Sequence, residues 1–305
     1  MERAVTALRR ICLLGLGEVG STLAADLAVH PDLAFTSYDL QFDDPWSRPS
    51  RALSELPQIT ANDSAIDAVR DCELVISAVT AGQDLAAARS VLAGLRPGAW
   101  FLDLNSVSPG TKCEVSAVVT EGGGRYVEAA VMSPIAPKRI ASPILVGGPH
   151  ARAFLPEGAA LGFSGMRFCS DQLGRAAATK MCRSVIVKGT EALLSEALLA
   201  ARHYGVEAAV VDSLGDLFPR PDWREHARYM ISRTLLHGTR RAEEMEEVAR
   251  TVAEAGIAPL MSEATVARQA WAPQFAAALE NDELAAMLDA VRELASGKED
   301  KRSAG

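Results

Sequence analysis

The chain has 305 residues, enough for one large domain or two packed ones. Its 31 lysines and arginines against 39 aspartates and glutamates give a formal charge of −8, and 49% hydrophobic with 23% charged residues is an ordinary globular composition. Neither nucleic acid nor an anionic membrane surface is an expected partner, since both call for a basic face, and no apolar run approaches the roughly 18 residues of a bilayer span. The histidines (His30, His150, His203, His226, His237) lack metal-ligand spacing, so no metal is expected. The cysteines (Cys12, Cys72, Cys113, Cys169, Cys182) are scattered and form no C-x-x-C pair, which suggests a reducing compartment. Arg3, Arg9 and Arg10 before Ile11-Cys12-Leu13-Leu14 faintly imitate a signal peptide. The apolar stretch is too short and lacks a small-residue cleavage site, so a cytoplasmic protein is expected.

From about residue 9 to 170, apolar or β-branched runs alternate with helix-like stretches: Ile11–Leu14, Leu33–Tyr38, Leu74–Val79, Trp100–Leu104, Tyr126–Met132, Ile144–Val146 and Met166–Cys169. Gly, Pro and Asp punctuate them, a rhythm that predicts βαβ units and a mostly parallel sheet. Beyond Asp171 the strand signals vanish, and apolar residues recur at three- and four-residue intervals. Asp171 is placed to cap a helix running to about Tyr204, stopped by Gly205. Val206–Leu217 follows, ending before Pro219 and Pro221. Asp222 is placed to cap a helix from Trp223 to about Ala255, ended by Gly256 and Pro259, with one or two more helices up to Ser296. This gives a dinucleotide-binding domain over 1–170, an all-helical substrate and dimerisation domain over 171–297 and a flexible polar tail over 298–305. The apolar-striped helices predict a homodimer formed through the second domain.

Gly15-Leu16-Gly17-Glu18-Val19-Gly20 follows the first strand and opens a helix, which is the strand–turn–helix context that G-x-G-x-x-G requires. The first glycine permits the tight turn, the second lets backbone N–H groups approach a pyrophosphate, and the third lets helix and strand pack closely. Asp39 closes the second strand, near the offset of about 20 residues at which an acidic side chain takes the ribose hydroxyls. An acid there repels a 2′-phosphate, and no arginine follows immediately, so NAD is expected in preference to NADP. The competing reading of Asp39 is a plain turn former. The fold class expected is an α/β Rossmann-type doubly wound parallel sheet followed by an all-α domain.

Three further segments carry a resemblance. Asp103-Leu104-Asn105-Ser106-Val107-Ser108-Pro109 is similar to D-x-S-T-x-x-P, Glu128-Ala129-Ala130-Val131-Met132-Ser133-Pro134 stands where D-A-P-V-S-G-G is found, and Gly174 precedes Lys180. With the order of the two halves, these make the chain resemble a divergent branch of the β-hydroxyacid dehydrogenase and 6-phosphogluconate dehydrogenase superfamily. The resemblance implies Val79 and Asn105 at the cofactor, Ser106, Met132 and Ser133 at a small-molecule substrate, and Lys180 as general acid and base. The chain departs from the pattern at Ser184, where K-x-x-x-N has asparagine. It departs again at Pro134, which removes one backbone N–H from the expected carboxylate cradle. The lysine of the family's K-D-L segment has no clear counterpart near Arg240-Arg241.

Lys180, Arg183 and Ser184 are spaced i, i+3, i+4, with Lys188 one turn on, so they share a helix face. The functional reading makes that face part of the substrate site, and the plain one makes it solvated. His237, Arg240 and Arg241 repeat the spacing beside Gly238, and either Arg241 with His237 binds a substrate anion or the arginines pair with Glu243, Glu244 and Glu246. Trp223, Trp271 and Phe275 are expected in a core or interface. The leading function is an NAD-dependent oxidoreductase acting on a small hydroxy acid. The alternatives are an imine or unusual-carbonyl reductase, or a non-catalytic NAD-binding regulatory protein.

Overall fold

The computed structural model describes residues 8–217, 222–256 and 258–302. The chain divides into two compact units, Met1–Met181 and Cys182–Gly305.

In the first unit, continuous apolar runs become strands buried on both faces, as a parallel sheet covered by helices requires. The strands are β1 (Arg10–Leu14), β2 (Ala34–Tyr38), β3 (Ile59–Ala61), β4 (Leu74–Ser77), β5 (Trp100–Asp103), β6 (Arg125–Val131), β7 (Ile144–Gly147) and β8 (Met166–Ser170). They form one sheet in the order β3-β2-β1-β4-β5-β6-β7-β8, parallel throughout except where β7 runs antiparallel to β6. β3 is not among the strands expected from the sequence. It has three residues, of which Ile59 alone is buried, too little to show a period.

Alternation along β1 sends Ile11 and Leu13 to one face, against Leu16, Leu23 and Leu27, and Cys12 and Leu14 to the other, with Ala68, Val69 and Val91. The covering helices are α1 (Glu18–Leu27), α2 (Arg48–Glu55), α3 (Ala65–Val69), α4 (Asp84–Val91), α5 (Pro109–Glu121) and α6 (Ala151–Ala160). Ser47, Ser64 and Ser108 cap α2, α3 and α5 by accepting from Ser50, Asp67 and Thr111 N–H groups. Strand order reverses between β1 and β4, and the crevice at such a switch point is where ligands of open α/β sheets bind.

α7 (Arg175–His203) starts in the first unit and ends in the second. Asp171 does not cap it. That carboxylate pairs with Arg152 at 3.2 Å, and the α7 start is capped from β6, where Glu128 accepts Gly174 N–H at 2.8 Å and Ala177 N–H at 2.5 Å.

The second unit continues with α8 (Glu207–Leu217), α9 (Trp223–Glu254), α10 (Leu260–Trp271), a 3₁₀ segment Ala272–Glu280 and α11 (Leu284–Arg302). Helix therefore continues into the stretch expected as a tail, and Pro219 and Pro221 lie outside the described residues. Asp222 does cap α9, accepting Glu225 N–H at 2.8 Å, and Gly205 and Gly256 end α7 and α9 at φ +70° and +76°. Leu198, Ile231, Leu235, Phe275, Met287 and Leu288 form the core, with Trp223 and Trp271 packed against it. A Cβ on Gly238 would stand 2.3 Å from the Gln269 carbonyl oxygen, so this glycine lets α9 and α10 touch. No helix among the described residues is long and apolar enough to cross a membrane.

Candidate functional site

The β1–α1 turn is held by close backbone contacts. Gly15 sits at φ +90°, donates its N–H to the Tyr38 carbonyl at 2.9 Å, and a Cβ there would lie 2.7 Å from the Ala78 carbonyl oxygen. A Cβ on Gly20 would fall 2.0 Å from the Gly15 oxygen. Gly17 differs: a Cβ would meet nothing within 4 Å. It is also the N-cap of α1, without a side-chain cap, so the start of that helix leaves backbone N–H groups suited to an anion. Leu16 buries its side chain in the core and donates its N–H to Asp39 Oδ2 at 2.8 Å.

Asp39 therefore ties the end of β2 to the glycine turn, and its Oδ1 accepts Gln41 N–H at 2.9 Å. A carboxylate offers about four acceptor positions, so room remains for two ribose hydroxyls. These residues border a cavity of about 590 Å³, lined among others by Gly17, Asp39, Arg48, Ile66 and Val79. The open cradle, the uncapped helix start and the carboxylate together fit a dinucleotide cofactor.

The floor beside this cavity is a buried polar network that the sequence reading missed apart from Asn105. Asn105 Oδ1 accepts Val79 N–H at 2.7 Å, while its Nδ2 donates to Ser77 Oγ at 2.9 Å and Asp84 Oδ1 at 2.7 Å. The amide is thus spent on holding the ends of β4 and β5 together, and it shapes the pocket through Val79. Asp103 accepts Asn105 N–H at 2.9 Å and Tyr126 OH at 2.7 Å and pairs with Lys112 Nζ at 2.7 Å, all of these side chains being buried. Burial and the Asp103 charge push the Asp84 carboxyl up to about 8, against the pull of Lys112. Burial also raises Glu128, opposed by the two α7 N–H groups. The available signal was a charged residue beside apolar neighbours, Asp84 at the start of α4 before Leu85-Ala86-Ala87 and Lys112 within α5.

Ser106, the next residue after Asn105, receives a hydrogen bond from Lys180 Nζ. Gly174 makes this meeting feasible: at φ +82°, with a Cβ that would stand 3.0 Å from Pro109 Cβ, it lets the α7 start lie against the α5 start. After β6, Met132 donates its N–H to the Pro143 carbonyl at 2.8 Å, and Ser133 Oγ donates to the Pro134 carbonyl at 3.1 Å. Of the three residues in the cradle position, one N–H is committed and Pro134 has none.

The remaining candidates lie in the second unit. Arg183 is exposed; Ser184 is buried and accepts from Lys188 Nζ at 3.4 Å. Lys188 pairs with Glu244 at 2.9 Å, and Arg240 pairs with the same carboxylate at 2.7 Å. Arg241 is buried against Glu191, which also accepts from Gln269 at 3.4 Å, so its partner is on α7 instead of the expected run of glutamates. His237 Nε2 lies 2.9 Å from Arg233 Nη1.

Residues 10–154 match the family model of the NAD binding domain of 6-phosphogluconate dehydrogenase, and residues 201–272 match a domain of unknown function, DUF1932. A conserved hypothetical protein from Sinorhizobium meliloti is 33% identical, with 95% of this chain and 98% of that one covered and a TM-score of 0.73. A conserved protein of unknown function, described as structurally similar to 3-hydroxyacid dehydrogenases, is 30% identical over 85% of this chain and 95% of its own, with a TM-score of 0.66. The cytokine-like nuclear factor N-PAC of Danio rerio is 31% identical over 129 residues, 40% of this chain, and the match spans about a quarter (26%) of that protein's length.

Proposed function

The chain belongs to the 3-hydroxyacid dehydrogenase-like family with a 6-phosphogluconate dehydrogenase-type NAD-binding domain, and from that premise we propose that it moves a hydride between NAD and a small hydroxy acid. The observation that carries the reading is Lys180 Nζ on Ser106 Oγ, one residue from the Asn105 that braces the nucleotide pocket. The nicotinamide, when bound, supplies the hydride acceptor or donor. Gly17 and the α1 N–H groups hold the pyrophosphate, and Asp39 accepts the ribose hydroxyls. Asp39 supports NAD over NADP, since its carboxylate would face a 2′-phosphate. Ser106 Oγ orients the substrate hydroxyl, and Lys180 Nζ takes its proton during oxidation or returns it during reduction.

Incubation with NAD and a panel of hydroxy acids, and with NADH and the matching oxo acids, tests this. Lys180→Ala should lower turnover about 10²-fold or more while NADH affinity stays within about twofold. Undiminished turnover in that variant would remove Lys180 from the mechanism.

A second reading rests on Met132-Ser133-Pro134, whose backbone offers little to a substrate carboxylate: reduction of an imine or an unusual carbonyl. Amines assayed beside hydroxy acids separate the two, and tight NADH binding with no turnover of either class would favour a regulatory protein. We also propose a cytoplasmic homodimer. On α7 Ile186 and Leu193, and on α9 Tyr229 and Leu236, are large exposed apolar residues one heptad apart, a pattern suited to helix pairing. A monomer by light scattering at micromolar concentration would refute the dimer.

A further inference from the structure

We propose that Asp84 is a positioning residue for the cofactor pocket, held as a neutral carboxylic acid that accepts from Asn105 at Oδ1 and donates from Oδ2 to Asp103. The proposal rests on the reading of the Gly15–Val79 pocket as the nicotinamide-cofactor site.

The Asn105 amide has one acceptor end and one donor end. Its oxygen faces Val79 N–H at 2.7 Å, so its NH₂ must face the other way, and there it finds Ser77 Oγ and Asp84 Oδ1. Turned by a half rotation, the amide would set NH₂ against the Val79 N–H, donor against donor. The acceptor at Asp84 Oδ1 is what opposes that rotation.

The other Asp84 oxygen identifies the protonation state. Asp84 Oδ2 is buried and, among the described residues, meets no N–H or O–H donor. The Asp84 carboxyl as a whole has the Asp103 carboxyl as a hydrogen-bonding neighbour, and its Oδ1 already faces the Asn105 amide, which leaves Oδ2 to meet Asp103. Two ionised carboxylates there would repel in a site without solvent, and an unmet buried acceptor is costly in itself. A proton on Asp84 Oδ2 removes the repulsion and turns the unmet oxygen into a donor to Asp103.

The proton belongs on Asp84 and not on Asp103. Asp103 is served by Lys112 Nζ, Asn105 N–H and Tyr126 OH, which favour its charge, whereas Asp84 has the single Asn105 donor. The charged or titratable groups around the pair are Asp103 on β5, Lys112 on α5, and Tyr126 and Glu128 on β6. Lys112 is the cation among them and is already matched by Asp103. Burial and the acids push the Asp84 carboxyl up to about 8, so it keeps its proton at neutral pH.

The Asp84 carboxyl thus sets two functional positions. Through Asn105 it fixes the Val79 N–H at the pocket wall, and it fixes the backbone leading to Ser106, which receives Lys180. Loss of the proton keeps the acceptor at Oδ1 but adds a second negative charge to the floor, so that Asp84 and Asp103 repel and strain the ties that Asn105 makes between them.

The test is the NADH dissociation constant at about pH 7 and about pH 9 for the wild type, Asp84→Asn and Asp84→Leu, read by nicotinamide fluorescence. If the protonated form is the binding-competent one, wild-type affinity falls about tenfold at the higher pH, because the apparent constant scales with the competent fraction. Asp84→Asn keeps an acceptor and a donor but cannot ionise, so it should lack that loss, while Asp84→Leu should bind weakly at both values. Infrared difference spectra of wild type against Asp84→Asn, without cofactor, should show a carboxylic-acid carbonyl band near neutral pH that fades at the higher pH. A parallel pH-dependent loss in wild type and Asp84→Asn, or no acid band, would overturn the proposal even if Asp84→Leu fails to fold. Wild type that never binds NADH would refute the proposed function, and the positioning role with it, while the infrared band would still decide the state of Asp84.

Discussion

Replacing Asp84 by asparagine should make the folded protein more stable near neutral pH, although the change alters a carboxyl inside a buried hydrogen-bond network. The folded-state value of about 8 stands against 3.8 for the free carboxyl. Below the lower value both folded and unfolded chains carry the proton, and Asp84 imposes no penalty. Between the two values the unfolded chain releases the proton while the folded chain keeps it, so stability falls by about 1.4 kcal/mol per pH unit; above about 8 both are ionised and the loss levels off. At pH 7 the accumulated penalty is on the order of 4 kcal/mol. Asparagine presents an oxygen to Asn105 and an NH₂ to Asp103 without titrating, so it escapes the penalty. Urea denaturation of both proteins from about pH 4.5 to about pH 8.5 checks this. The advantage of Asp84→Asn should be small at the acid end and grow to about 2–4 kcal/mol near neutrality. Parallel curves, or a variant less stable than wild type at pH 7, would show that Asp84 is ionised in the folded chain.

Other substitutions probe the remaining parts. Gly17→Ala adds a Cβ that meets no described protein atom within 4 Å, so it should raise the NADH dissociation constant about tenfold while stability changes by about 1 kcal/mol or less; a collapse in stability would mean that Gly17 is held by packing. Lys112→Met leaves Asp103 buried without its cation and should cost about 3–5 kcal/mol, measured by denaturant unfolding. Asp39→Ala removes the ribose acceptor and the tie to Leu16, and should narrow the preference for NADH over NADPH about tenfold or more in parallel titrations; an unchanged ratio would reduce Asp39 to a turn former.

The strands of the first unit were readable because burial on both faces produces unbroken apolar runs, as at Ile11–Leu14 and Leu74–Ser77. β3, with one buried residue, gave no such run. The glycine turn was readable because close approach leaves no alternative residue at Gly15 and Gly20. What escaped depends on contacts across the sheet. Asp171 carries a capping side chain in a suitable place, yet Glu128, some 46 residues before Gly174, captures the N–H groups at the α7 start from within β6. Asn105 looked like a cofactor ligand by position, and the structure shows its amide committed to Val79, Ser77 and Asp84. Arg241 was expected either at a substrate anion or beside nearby glutamates, and it pairs instead with Glu191, one helix away. Local spacing names the residues that share a face, whereas partners brought from distant segments emerge with the fold.

The most direct test of the account is parallel titration of the purified protein with NADH and NADPH, following nicotinamide fluorescence. Saturable binding of NADH is expected, with NADPH weaker by about tenfold or more because the Asp39 carboxylate meets the 2′-phosphate. Binding of neither cofactor would contradict the dehydrogenase reading of the cradle at Gly17, the carboxylate at Asp39 and the lysine at position 180.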